Sequence, residues 1–191
     1  GGMSPMMRLS LVVVVIMACV ACAGSEENLR PGPYVGIGFV AAASTFENFS
    51  DIDEDLDEGV GAPGVQAMLG YHMWDRAAVE IVYEGGMMFE GSETDVDVNT
   101  IMAQGKLFLG IFPGEAFQPY LVGGFGYEWV KTSGAIRSDG GGMAARGGLG
   151  LQYYITPHLP IYLEYAHTIG IGEDVEDFSY GGLKLGIMYR F

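Results

Sequence analysis

Apolar and polar positions alternate with a period of two in eight stretches downstream of Pro31. They cover residues 34–44, 64–73, 77–89, 96–109, 119–132, 143–156, 160–171 and 180–191. That period marks a strand with one apolar face and one face that tolerates charge. The last stretch shows it plainly: Leu183, Leu185, Ile187, Tyr189 and Phe191 share one face. Gly182, Lys184, Gly186, Met188 and Arg190 share the other. Glycines interrupt every stretch, which argues against helix. Each stretch holds the roughly ten residues that a tilted membrane-crossing strand requires.

The connections sort into two kinds. Those after the second, fourth and sixth stretches (74–76, 110–118 and 157–159) read as turns. Those after the first, third, fifth and seventh (45–63, 90–95, 133–141 and 172–179) are mostly polar and read as loops. Turns on one rim and loops on the other predict an all-β, eight-stranded antiparallel up-and-down transmembrane β-barrel. Lipid covers its apolar face and closure leaves no free edge. Barrels of the outer-membrane type keep turns periplasmic and loops outside. Aromatics gather at both strand ends, where membrane girdles would form. Tyr71, Trp74, Phe112, Tyr120, Tyr153, Tyr189 and Phe191 are assigned to the turn end. Phe89, Tyr127, Trp129, Phe178 and Tyr180 are assigned to the loop end.

Composition adds limits. The 191 residues are 49% hydrophobic and carry a formal charge of −15, so greasiness and charge must be segregated along the chain. A strongly acidic chain does not bind nucleic acid, which needs clustered Lys and Arg. Arg8 followed by the uncharged run 9–23, ending Ala21-Cys22-Ala23, reads as a cleaved signal peptide over residues 1–23. A competing reading is a lipoprotein signal at Cys19, with Met17 where a small residue is usual. Residues 24–31 then form a short lead and 32–191 the barrel domain. Cleavage after Ala23 removes both cysteines, Cys19 and Cys22, so disulfides play no part in stability.

The stretches "GVQAMLGYHMWDRAAVEIVYE", "PYLVGGFGYEW" and "RGGLGLQYYITPHLPIYLEY" resemble the OmpA-like, opacity-protein class of eight-stranded outer-membrane barrels. The closing "GIMYRF" is similar to that class's C-terminal strand, whose last aromatic is the signal read by the outer-membrane assembly machinery. The resemblance implies an integral bacterial outer-membrane protein, with Phe191 as the assembly signal. It also implies a structural and surface-interaction, adhesin-like role. With no appended peptidoglycan-binding domain in this sequence, cell-wall anchoring is not implied.

Alternation sends charge inward. Glu80, Glu84, Glu128 and Glu164 face the lumen with Lys106, Arg146, Lys184 and Arg190, beside Gln104, Gln152 and Tyr162. Buried charges persist when paired and hydrogen-bonded, so a salt-bridge network is expected, with Glu80, Glu84 and Glu164 coupled to Arg146, Lys184 or Arg190. Eight strands leave a lumen just wide enough for side chains to fill. The alternative is a narrow gated ion path, a small porin.

Other chemistry is weighed against plain readings. His167 invites comparison with the outer-membrane lipid A deacylases, eight-stranded hydrolases whose motif has Ser and Asn soon after a His. Here Thr168, Ile169 and Gly170 follow, and alternation turns His167 toward lipid, so no enzyme activity is expected. His72 and His158 read as interfacial residues beside turns. Asp51, Asp53, Asp55 and Asp57 resemble the start of a calcium loop, but Leu56 and Ala62 occupy the places of its Gly and its bidentate Glu. The segment reads instead as a solvated acidic loop, and no cofactor is expected. A soluble lipocalin-like barrel would turn its apolar face inward, against the inward charges. The expected partners are outer-membrane lipid and lipopolysaccharide, the assembly machinery, and an extracellular partner at the acidic loops, with the protein itself monomeric.

Overall fold

The computed structural model describes residues 31–46, 61–74, 76–90, 94–109, 116–134, 139–171 and 178–191. Eight strands follow in order: β1 (Gly32–Phe46), β2 (Gly61–Trp74), β3 (Ala77–Glu90), β4 (Thr94–Phe108), β5 (Phe117–Gly134), β6 (Asp139–Thr156), β7 (Leu159–Ile171) and β8 (Phe178–Arg190). Each pairs antiparallel with its neighbour, and β8 returns to β1, closing the barrel. At the seam, Ile37 lies opposite Ile187 and Tyr34 opposite Arg190. The Phe191 amide donates to Pro33 O at 3.2 Å, and the Arg190 amide to His158 O at 2.9 Å. The expected eight-stranded transmembrane barrel is the observed fold.

Because side chains alternate across a strand, every strand splits its residues between two surroundings. Along β7 the pattern is unbroken: Tyr162, Glu164, Ala166 and Thr168 are buried, and Leu163, Tyr165, His167 and Ile169 are exposed. The apolar face therefore points outward all round, with Ile37, Leu69, Ile81, Leu149 and Leu185 each about half or more exposed. This inverts a soluble barrel and is the geometry expected when the surrounding solvent is lipid.

Two sequence expectations change. Loop and turn connections differ less in length than expected, because β5 and β6 each run for 18 residues. Only residues 91–93 separate β3 from β4, whereas 109–116 join β4 to β5 on the opposite rim. The second change is a bulge in β3. Pairing with β4 shifts between Glu84 and Met87, where Gly86 takes φ +71°, a left-handed conformation that glycine adopts at no steric cost. The inserted residue switches parity, so Glu84, Met87 and Phe89 all point inward.

Candidate functional site

The lumen collects charge from six strands, β3 to β8. Glu84 on β3 is gripped by both guanidinium nitrogens of Arg146 on β6, each at 2.7 Å from a different carboxylate oxygen. Lys184 on β8 approaches the same carboxylate at 2.6 Å and also donates to Glu164 on β7 at 3.2 Å. The other oxygen of Glu164 stands 3.9 Å from Lys106 on β4, which pairs with Glu80 on β3 at 2.7 Å. The Lys106–Glu80 contact is close but not aligned as a hydrogen bond, an ion pair held by charge. Six charges of alternating sign thus form a chain across the barrel: Glu80, Lys106, Glu164, Lys184, Glu84, Arg146. All six are buried.

Neutral groups complete this chain. Tyr34 donates to Glu80 at 2.6 Å, Gln104 to Glu80 at 2.7 Å, and Tyr120 to Glu164 at 3.0 Å. Arg146 spends further donors on Thr168 (3.0 Å) and Tyr180 (3.1 Å). The Lys106 ammonium lies 4.7 Å from the centre of the Tyr120 ring, within cation–π range. Ions removed from water offset that cost only when attraction and hydrogen bonds are both in place; Glu84, Arg146, Glu164 and Lys184 have both, whereas Lys106 relies on charge and on the Tyr120 ring. The tyrosines fit because glycines oppose them. A methyl group at Gly70 would collide with the Tyr34 ring, and one at Gly150 with the Tyr120 ring.

An apolar layer lies toward the loops, and a mixed aromatic and polar layer toward the turns. Toward the loops, Val40, Ala42, Ala62, Met87, Phe89, Val96 and Val98 pack with Tyr180. Toward the turns, His72 lies 4.8 Å from Phe108, and Phe108 lies 5.7 Å from Tyr120. Arg190 is buried at this end, donating to Tyr154 at 3.2 Å.

The eight lumen residues named from the sequence therefore have different surroundings. Glu80, Glu84, Lys106, Arg146, Glu164 and Lys184 meet one another, with Lys106 the direct partner of Glu80. Arg190 lies at the turn end against Tyr154. Glu128 is fully buried, yet among the described residues no hydrogen-bond donor reaches either of its oxygens. Alternation turns Tyr34, Tyr120 and Tyr180 inward, but the carboxylates their hydroxyls reach across the lumen are set by strand stagger rather than by sequence spacing.

Several aromatic assignments are corrected. Tyr120, Tyr180 and Phe89 are buried in the lumen, not at the girdles, and His72 is interior rather than interfacial. Tyr71, Trp74, Tyr189 and Phe191 remain exposed at the turn end, as do Tyr127 and Trp129 at the loop end. His167 is exposed on the outer wall. Among the described residues no cluster of His, Cys, Asp or Glu is arranged to hold a metal. Asp51, Asp53, Asp55 and Asp57 lie outside the described residues, as do Phe112, the segment 1–23 and most of 24–31.

The family model described as the outer membrane protein beta-barrel domain matches residues 10–191. The chain belongs to this family. It is an integral protein of the bacterial outer membrane. Neisserial surface protein A superposes with a TM-score of 0.67 at 15% identity, covering 85% of this chain and 99% of its own. Ail, the attachment invasion locus protein of Yersinia pestis, gives 0.58 at 20% identity over 84% and 99%. These two likenesses show the fold. In sequence, 112 residues (56% of this chain) are 29% identical to the 56 kDa type-specific antigen of Orientia tsutsugamushi. That match spans 21% of the antigen's length.

Proposed function

We propose that the protein is a non-enzymatic, structural outer-membrane barrel that presents an adhesin-like surface, its lumen plugged by the charge chain. The observation that carries this reading is the chain itself, six buried charges in alternating sequence beneath an apolar layer on the loop side. A filled lumen leaves the loop rim as the surface through which the protein acts.

The chemistry of that rim is acidic. Seven acids lie between Glu47 and Glu58, and four occur in each of "EGSETDVD" and "GEDVEDF". Ail has been solved with the heparin analogue sucrose octasulfate, a polyanion. The loops of the present chain would repel such a ligand, so a basic partner surface is the complementary choice. Lipopolysaccharide headgroups are anionic too, and divalent cations would bridge them to these carboxylates. The same reading takes Phe191 as the assembly signal and residues 1–23 as the export signal.

Deleting residues 47–58 tests the surface role. Heat-modifiable gel mobility is expected to survive, because loop changes cost a barrel little. Salt-sensitive binding of cells to a lysine-rich surface is expected to disappear with the loop. Binding that persists unchanged would contradict the reading. Large, steady conductance in planar bilayers would contradict the plugged lumen and favour a small porin.

A further inference from the structure

The outer wall carries glycines that the barrel interior does not require. A Cβ added at Gly105 would come no nearer than 3.8 Å to another atom, and one at Gly123 no nearer than 3.9 Å. Gly105 and Gly123 are direct cross-strand partners on β4 and β5. With Ala103 they floor a groove of about 810 Å³ on the outside of the barrel. Leu69, Tyr71, Ile81 and Phe125 wall it, each about half or more exposed. The groove is shallow and open to the surroundings, and its lining is apolar, that of a surface for an apolar ligand.

The location names the occupant. The groove is continuous with the lipid-facing band, so what meets it is membrane lipid. Its lining includes Pro33 near the start of β1, and Tyr71 and Val79 on either side of the β2–β3 turn. It therefore opens on the turn rim, which in outer-membrane barrels faces the periplasm. The leaflet on that side is phospholipid; lipopolysaccharide occupies the other. A concavity between projecting side chains suits a thin, flexible chain better than the convex wall of a second barrel. We propose that this groove seats one acyl chain of a periplasmic-leaflet phospholipid, held by dispersion contacts along the glycine floor.

Native mass spectrometry of protein extracted from outer membranes in mild detergent tests this. The unmodified barrel is expected to carry one phospholipid. The double variant Gly105→Leu/Gly123→Leu fills the floor and should cut occupancy about tenfold or more. Phe125→Ala, which removes a wall without adding volume, should also lower it. Gly147→Leu is the control: Gly147 pairs with Gly123 and is equally open, but it lies outside the groove. It should retain the lipid. Heat-modifiable mobility establishes that each variant is folded. The proposal is overturned if the unmodified barrel carries no phospholipid, or carries lipopolysaccharide in its place. Loss of a dimer in the double variant, or undiminished lipid in a folded double variant, would also overturn it.

Discussion

The lumen face and the lipid face are made from alternate residues of the same eight strands, yet they obey different rules. Inside, each group is specified by a partner: Gly70 is small because Tyr34 lies over it, and Tyr34 lies there because its hydroxyl reaches Glu80. Outside, Leu149, Leu163 and Leu185 are about half exposed on the outer wall and carry no polar group that needs a partner, so residues of similar hydrophobicity would serve. The difference teaches where stability is concentrated. Lipid gives no apolar driving force between side chains of the outer face, whereas the inner face holds ions whose separation is costly.

Truncating the inner face at its most connected residue should have the largest effect. Arg146→Ala leaves Glu84 buried with two donors removed, and a loss of about 3–5 kcal/mol is expected in denaturant unfolding from detergent micelles. The outer face can be broken by a charge instead. Leu185→Arg should cost about 2–4 kcal/mol if that position lies near the midplane, measured the same way. Glycines offer a finer comparison. Gly70→Ala forces Tyr34 to move and should cost about 1–3 kcal/mol, whereas Gly147→Ala should fall within about 0.5 kcal/mol of the parent. The smallest effect is expected at Glu128. Because no donor among the described residues reaches its oxygens, Glu128→Gln should leave stability equal or higher, while Glu84→Gln lowers it.

Much of this is legible in the amino-acid sequence. Alternation placed all eight strands within a few residues and sorted the inward charges, because lipid outside and a narrow lumen inside enforce the period of two. Three things were obscured. Met87 and Phe89 changed faces because one inserted residue at Gly85–Gly86 reverses parity, and a Gly-Gly pair within a strand was the available signal. Tyr120, Tyr180 and His72 lie near strand ends, which suggests an interface, but their parity matches the inward residues of their own strands and parity decides. Charge partners depend on the stagger of strands around the barrel. That is why Lys106 meets Glu80 while no donor among the described residues reaches Glu128, a distinction that no spacing within one strand contains.

The most direct test of the plugged lumen is a double-mutant cycle on Glu84 and Arg146. Glu84→Ala, Arg146→Ala and the combined variant would be unfolded by denaturant in the same detergent. Facing carboxylate and guanidinium at 2.7 Å on both arms should give a coupling of about 0.5–3 kcal/mol. Additive effects, within about 0.3–0.5 kcal/mol, would contradict a lumen held together by paired charge.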